Sequence, residues 1–321
     1  MNSPLRNDAA TAATAALVAH SQAIAAIVER LADSTLAVRG RRGVLASAVV
    51  WRDGVVVTAA HVFRRAPAAT TLVGEGGATY EATLAGIDSS TDVAVFRVVG
   101  GAALRAIEVG DAAGLRAGHL AIAVGRGGDG DPLASAGLVN RAGGPWQTWL
   151  GGTIDRLIRL DGGVYDGLSG APVADASGAV VGIATAALSR RYGIVVPAST
   201  VSRVVDALLA GGRVSRPWLG IGAQPVSLPA RSAEAGAAAV GPDSGLLVTA
   251  LAPKGPADRA GLLIGDIVVG VAGSGAADLA SLRTALAGFV GKSARLSLLR
   301  GGAAREIDVE VGEQPAAGRC G

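Results

Sequence analysis

The sequence predicts a mainly β protein with a helix at its N-terminus and a small α+β module behind the β region. Three observations carry this. Short runs rich in Val and Ile recur between turn residues from Ser34 to about Pro197. Helical periodicity is confined to the N-terminus and a few short later segments. Forty-eight glycines among 321 residues imply many turns and argue against a helical bundle. That length allows two domains plus an extension. Half the residues are hydrophobic but only 3% are aromatic, so Ala, Val, Leu and Gly must build the core.

The first element is an amphipathic helix. Ala9 to Val28 holds no charged residue, Asn7 or Asp8 is placed to cap it, and Leu17, Ile24, Ile27 and Leu31 share a stripe. Thr11, Thr14, His20, Ser21 and Gln22 make the segment weakly apolar for a membrane span, and Asp8 ahead of it suits a signal peptide poorly. An uncleaved anchor and an atypical export signal are the alternatives. One cysteine, Cys320, cannot form an internal disulfide. The expected location is the cytoplasm, with the periplasm or export by an atypical signal as the alternative.

Seven runs then read as strands: T-L-A-V-R-G, A-S-A-V-V-W, G-V-V-V-T-A, T-D-V-A-V-F-R-V, L-A-I-A-V-G, A-V-V-G-I-A-T and G-I-V-V-P. Short strands in such regular succession suggest a sandwich or a barrel. Ser199 to Ala210 is a helix stopped by Gly211-Gly212. Arg216-Pro217-Trp218 opens a second unit, and Ser227 to Val240 reads as a loop or short helix. The strand G-L-L-V-T-A-L, the turn P-K-G-P, the short helix A-D-R-A-G-L, the strand G-D-I-V-V-G-V, the helix D-L-A-S-L-R-T-A-L-A and two closing strands follow. The predicted boundaries are an N-terminal helical extension (1–33), a first domain (34–213), a second domain (214–313) and a disordered tail (314–321).

Ser169 in D-G-L-S-G-A-P-V is the most informative residue. A serine hydroxyl is a weak nucleophile without a base and without amides to hold the developing oxyanion. Gly167 and Gly170 permit the tight turn that aims two amides at one spot. His61 in V-V-V-T-A-A-H-V is the candidate base and Asp92 in S-S-T-D-V-A-V-F the candidate orienting acid. The chain order His, Asp, Ser is that of the chymotrypsin barrels, not of subtilisin or the α/β-hydrolases. Asp161 and Asp166 are fallback acids, and His20 and His119 lack any such context.

The chain resembles the HtrA family of trypsin-like serine proteases from Leu36 to Val311. The segments V-V-T-A-A-H-V-F, S-S-T-D-V-A-V-F-R-V and G-L-S-G-A-P-V carry the resemblance, in that order. Trp218-Leu219-Gly220-Ile221 resembles the carboxylate-binding loop of a PDZ domain. The resemblance implies a chymotrypsin-like double β-barrel followed by a small α+β PDZ domain. It implies an ATP-independent endopeptidase with His61, Asp92 and Ser169 as its triad and the amides of Gly167 and Ser169 as its oxyanion hole. It also implies unfolded or misfolded proteins as substrates, peptide C-termini as PDZ ligands, and a homotrimer or higher homo-oligomer. Two positions depart from the family pattern: Leu168 replaces a small polar residue, and Ala171 replaces a glycine. The alternative function, a catalytically inactive PDZ-containing chaperone or scaffold, rests on Leu168. The specificity pocket is expected from Gly163 to Tyr165 and Ile183 to Ala186, and Gly163 six residues before the serine favours small or medium apolar side chains over Lys or Arg.

Other chemistries find no support. The net charge is only +3 and the arginines are scattered, so nucleic acid is not an expected partner. The G-R-G-G-D-G run from Gly125 lacks the lysine and helix of a phosphate loop, no metal-ligand cluster is visible, and no cofactor is expected.

Overall fold

The computed structural model describes residues 4–39, 45–63, 68–101, 103–228 and 243–313. The stretch 229–242, the tail from 314 and Cys320 lie outside the described residues, and with them the expected loop or short helix and the expected disordered tail. The chain divides into two compact units, Met1–Val214 and Ser215–Gly321.

Helix α1 (Pro4–Ala32) opens the first unit. It starts earlier than the expected cap at Asn7 or Asp8, with a proline in its first turn, where the missing N–H costs no hydrogen bond. Only the last part of the expected stripe docks. Ile27 and Leu31 are buried, Ile24 is partly buried, and Leu17 is 71% exposed, because the helix runs out beyond the surface that would cover it.

Strands β1 (Thr35–Arg39), β2 (Leu45–Arg52), β3 (Val55–Ala59), β4 (Ala69–Val73), β5 (Thr79–Asp88) and β6 (Val93–Val98) close a barrel in the order β1-β2-β3-β6-β5-β4, with β1 pairing β4. Strands β7 (Leu120–Arg126), β8 (Pro132–Gly143), β11 (Leu157–Leu160), β12 (Pro172–Ala174), β13 (Val180–Thr185) and β14 (Ile194–Pro197) close a second in the order β11-β14-β13-β12-β7-β8. Between β8 and β11 lies a small hairpin of β9 (Trp146–Gln147) and β10 (Thr153–Ile154). Helix α2 (Ala198–Gly211) ends on Gly212 at φ 69°, whose N–H donates to Leu208 O.

Several strands are apolar on both faces because each face meets a different core. Along β2, Ala46, Ala48 and Val50 fill the first barrel, while Val49 and Trp51 enter a central cluster. That cluster gathers Val57 and Val95 from one barrel, Ile122 and Ile183 from the other, Ile27 and Leu31 of α1, and Val201 and Val205 of α2. Each fully buried Val or Leu contributes roughly 1.5–3 kcal/mol, which lets a chain with so few aromatics hold two barrels.

The second unit pairs β15 (Pro217–Trp218) with β22 (Gly312–Glu313), and builds a sheet in the order β16 (Ile221–Ser227), β17 (Ser244–Leu251), β18 (Ile267–Val271), β20 (Ser293–Arg300), β21 (Ala303–Glu310). Strand β19 (Ser274–Gly275) pairs with β18. Helices α3 (Pro256–Arg259) and α4 (Leu279–Leu286) complete it, and α4 packs on β16 and β18. The core is Leu246, Val248, Leu262, Val268, Leu296 and Val309.

Candidate active site

His61 sits in a 3-10 turn, Ala60–Val62, that leaves the end of β3. Phe63 behind it meets Phe96 of β6 with ring centroids 5.4 Å apart, which holds the segment against the first barrel. Asp92 ends the turn between β5 and β6. Asp88 organises that turn by accepting from the Ser90 N–H (3.1 Å) and hydroxyl (2.7 Å) and from the Thr91 hydroxyl (2.8 Å). Asp92 itself has φ 59°, a left-handed conformation that aspartate tolerates better than most residues.

The structure brings His61 and Asp92 into direct contact. Nδ1 of His61 lies 2.7 Å from Asp92 Oδ2, and the His61 backbone N–H donates to Oδ1 at 2.7 Å. The Ala60 N–H donates to the Asp92 carbonyl at 3.1 Å. The carboxylate side chain is 3% exposed and the imidazole 34%, so the acid is dry while the ring's far edge stays open. A third donor to the carboxylate is the hydroxyl of Thr185 at the end of β13. Every partner of this carboxylate donates, which satisfies the strong need of a buried anion for hydrogen bonds.

Ser169 lies on the turn ahead of β12. Gly167 at φ 88° and Gly170 at φ 84° adopt the backbone that a side chain would strain. The turn is held by the Leu168 N–H to Tyr165 O (3.0 Å), Ala171 N–H to Leu168 O (3.0 Å) and Gly170 N–H to Ala184 O (2.8 Å). Among the described residues, the N–H groups of Gly167 and Ser169 donate to no acceptor, and no hydrogen bond joins the Ser169 hydroxyl to His61. A Cβ on Gly170 would fall 2.5 Å from Thr58 Oγ1 and 2.8 Å from Ala59 N. Glycine there lets the serine turn press against the strand that leads to His61, so side chains from both barrels meet at one rim.

Neither departure from the family pattern strains the turn. Leu168 is 4% exposed and turns into the core of the second barrel beside Ala123 and Val173. Ala171 is fully buried and has no positive φ, so no glycine is needed there. Asp161 and Asp166 are exposed loop residues, His20 is exposed on α1, and His119 lies in the loop before β7. A cavity beside the serine turn is lined by Gly163, Val164, Tyr165, Leu168 and Ala184, with Ala121, Gly137 and Asp161 also on its wall. Ile183 instead faces the central cluster, because adjacent residues of β13 point to opposite sides, and Ala186 is exposed just past the end of the strand.

Two contributors escaped the sequence reading of the triad: Thr185, which holds Asp92, and Ser47, whose N–H donates to the Ser169 carbonyl (2.9 Å) and whose hydroxyl donates to Gly167 O (2.6 Å). The available signal was a polar residue inside an otherwise apolar strand, A-V-V-G-I-A-T or A-S-A-V-V-W, since a buried hydroxyl demands a partner.

In the second unit, Trp218 is half-buried in β15, Leu219 is buried, Gly220 has φ 74°, and Ile221 begins β16. The carbonyls of Leu219 and Gly220 are taken by the N–H groups of Ala257 (2.9 Å) and Ala252 (2.7 Å). Among the described residues, the N–H groups of Leu219 and Gly220 donate to no acceptor. They sit at the head of β16, an edge strand with one open side.

Residues 46–183 match the family model of a trypsin-like peptidase domain, and residues 217–311 match that of a PDZ domain. The chain is 33% identical over 276 residues to a protein of Brucella suis described as a "probable periplasmic serine endoprotease DegP-like"; the match takes in 83% of this chain and 52% of that protein. The chain thus spans about half the length of the curated relatives it matches. Its fold superposes on the HtrA-type protease AlgW with decapeptide at a TM-score of 0.75 and 24% identity, covering 91% of this chain and 99% of that one. It superposes on the same protease with tripeptide at 0.72 and 26% identity, covering 91% and 98%.

The cytoplasmic location expected from the sequence is overturned by the periplasmic description shared by relatives from Brucella, Rhizobium and Halomonas. A missing disulfide is neutral evidence, and the interruptions in the N-terminal segment did not outweigh its length: Thr11–Ala32 is long and apolar enough to cross a membrane by length and composition. Two closed barrels, a PDZ-type second unit, both family-model matches and the relatives agree: the chain belongs to the HtrA family of trypsin-like serine proteases with a PDZ domain.

Proposed function

We propose that this chain is an ATP-independent serine endopeptidase acting on unfolded or misfolded proteins, with His61, Asp92 and Ser169 as its catalytic triad. The observation that carries the reading is the dry, fully donated Asp92 against His61, facing a serine turn with unused amides. Asp92 Oδ2 accepts from Nδ1–H, which fixes the tautomer that leaves Nε2 free to take the Ser169 proton. Ser169 Oγ then attacks the scissile carbonyl, and the negative charge on its oxygen is received by the N–H groups of Gly167 and Ser169. His61 passes the proton to the leaving amine. Water, activated by the same imidazole, attacks the acyl-enzyme and frees the serine. The cavity beside the turn, walled chiefly by Gly, Ala, Val and Leu, would suit a small or medium apolar side chain ahead of the cut. Burial of Leu168 away from the serine supports an active enzyme over an inactive scaffold.

The second unit would bind a peptide C-terminus, its carboxylate on the amides of Leu219 to Ile221 below Trp218 and its backbone added as a strand to the open edge of β16. A homotrimer or higher homo-oligomer is the assembly the family implies. Purified protein mixed with unfolded casein tests the activity. Cleavage that vanishes in Ser169→Ala supports it, and intact casein with suppressed aggregation of a denatured client overturns it. Peptides with free and amidated C-termini test the second site, and equal binding would reject carboxylate capture.

A further inference from the structure

Ser47 in β2 is fully buried and makes contacts with three segments of the first unit. Its hydroxyl donates to Gly167 O at 2.6 Å and accepts from the Arg126 N–H at 3.0 Å. Its N–H donates to Ser169 O at 2.9 Å, and its carbonyl accepts from the Thr58 hydroxyl at 2.7 Å. One residue of the first barrel therefore holds the carbonyls on both sides of Leu168. Those carbonyls lie in the Gly167–Leu168 and Ser169–Gly170 peptide planes, which bracket the plane that carries the Ser169 N–H; pinning them, with Gly167 at φ 88°, restricts rotation of the adjacent planes that carry the Gly167 and Ser169 N–H groups. Gly125 is what allows this approach: a Cβ there would lie 2.6 Å from Ser47 Oγ and 2.8 Å from Leu168 Cδ2.

The anchor behind Ser47 is unusual. Arg126 is 3% exposed and, among the described residues, pairs with no carboxylate. Its guanidinium donates to three backbone carbonyls: Thr35 (2.6 Å), Ala32 at the end of α1 (2.5 Å) and Gly130. A buried cation held only by carbonyls is costly to place and strongly directional once placed. It ties the last turn of α1, the start of β1 and the 127–130 loop to the residue that grips the serine turn.

We propose that Ser47 is a positioning residue for the oxyanion turn, and that Arg126 locks it there by way of the docked end of α1. This rests on the protease reading above. Replacing Ser47 by alanine leaves Gly167 O and the Arg126 N–H buried without their partner, and the turn relaxes while every catalytic atom remains. The loss expected is roughly ten- to hundredfold in kcat, less than the ~10²–10³ of deleting an oxyanion donor outright.

The test compares the parent with Ser47→Ala and with Ser47→Cys, which keeps the branching with a slightly larger atom that donates weakly, on a fluorogenic peptide at a temperature well below each melting point. The expected result is a fall in kcat with KM unchanged, smaller for Ser47→Cys. The affinity of a peptidyl boronate, which places a tetrahedral anion in the hole, should fall in parallel, while affinity for the product peptide stays constant. A purely structural role would lower the melting point alone. If a fluorophosphonate labels the parent at Ser169 and either soluble variant keeps the parental kcat and boronate affinity, the positioning role is overturned and the protease reading survives. If the parent is neither labelled nor cleaves casein, the protease reading falls and takes this role with it.

Discussion

Replacing Asp92 by asparagine isolates the orientation of His61 from everything else the acid does. Asp92 sits at φ 59°, where asparagine is at ease, so the backbone stays put. The three partners of the carboxylate are all donors: the His61 backbone N–H on Oδ1, and His61 Nδ1 and the Thr185 hydroxyl on Oδ2. An amide can replace only one acceptor. If its oxygen keeps the His61 N–H, its NH₂ faces Nδ1, which must then accept, and the ring proton moves to Nε2. The base is thereby protonated on the wrong nitrogen. The Thr185 hydroxyl loses its acceptor as well, although it still receives the Ala187 N–H at 3.0 Å. Loss of the correct tautomer in a Ser-His-Asp triad costs on the order of 10⁴ in kcat, which is about 5.5 kcal/mol of barrel-rim geometry converted to rate at ~1.4 kcal/mol per decade. The assay is steady-state hydrolysis of a fluorogenic peptide by parent, Asp92→Asn and Ser169→Ala, with melting curves for each. An Asp92→Asn variant within tenfold of the parent, beside a dead Ser169→Ala, would refute the tautomer argument.

Three further outcomes follow from the same contacts. Asp266 is 1% exposed, and its carboxyl is held below the usual range chiefly by Arg300, through hydrogen bonds at 2.8 Å, helped by the Leu263 N–H. A depressed native pKa gives stability that is present above the unfolded value of ~3.9 and is lost as pH falls through the native value. The second unit should therefore soften on acidification below about pH 4, and Asp266→Asn should lower its melting point at neutral pH by the equivalent of about 1.5–3 kcal/mol while flattening that acid limb, as followed by circular dichroism. In β16, the Leu228 N–H bonds to Asp243 O at 2.9 Å, so alternation along the antiparallel ladder turns Gln224 and Val226 toward β17 and Pro225 toward the open edge. An added peptide strand finds no donor at Pro225, so eight-residue C-terminal peptides should bind no tighter than four-residue ones. Pro225→Ala should gain roughly two- to tenfold for the longer peptide only, the worth of one hydrogen bond, by isothermal titration; an equal gain for both lengths would reject the idea. Gly178 has φ 82°, and a Cβ there would displace the Arg30 guanidinium, which donates to Ser177 O at 3.2 Å. Gly178→Ala should loosen the last turn of α1, seen as faster amide exchange at Ile27 to Leu31, and cost about 1–2 kcal/mol from the left-handed backbone alone.

The elements that were legible in the sequence are those whose signal is local. Val- and Ile-rich runs bounded by glycine became β2, β3, β6, β7, β13 and β14, and Gly211-Gly212 marked the end of α2 within one residue. Strands β4, β5, β8, β11 and β12 were not among the runs singled out. Their compositions explain it: A-T-T-L-V and T-Y-E-A-T-L-A-G-I-D mix Thr and Glu among apolar residues, and P-L-A-S-A-G-L-V-N-R-A-G reads as turn material. Strand β8 exists because β7 and β11 pair along its two edges, a stabilisation no local window records. The N-terminal helix was legible as a helix, but the length of its buried face was not, since only the surface beneath it decides where docking stops.

By itself, the sequence determined the helices, the strands of strongest local signal and the glycine-built serine turn. Those are properties of residues within a few positions of one another, set by backbone sterics and side-chain period. Only the tertiary structure decided that Thr185, 93 positions away, would be a donor to Asp92, that Ser47, 120 positions from Gly167, would grip the serine turn, and that a buried Arg126 would find three carbonyls instead of an acid. Such contacts depend on how two closed barrels and a helix end meet. Burial then forces every polar group at that junction to find a partner, whichever distant segment happens to supply it.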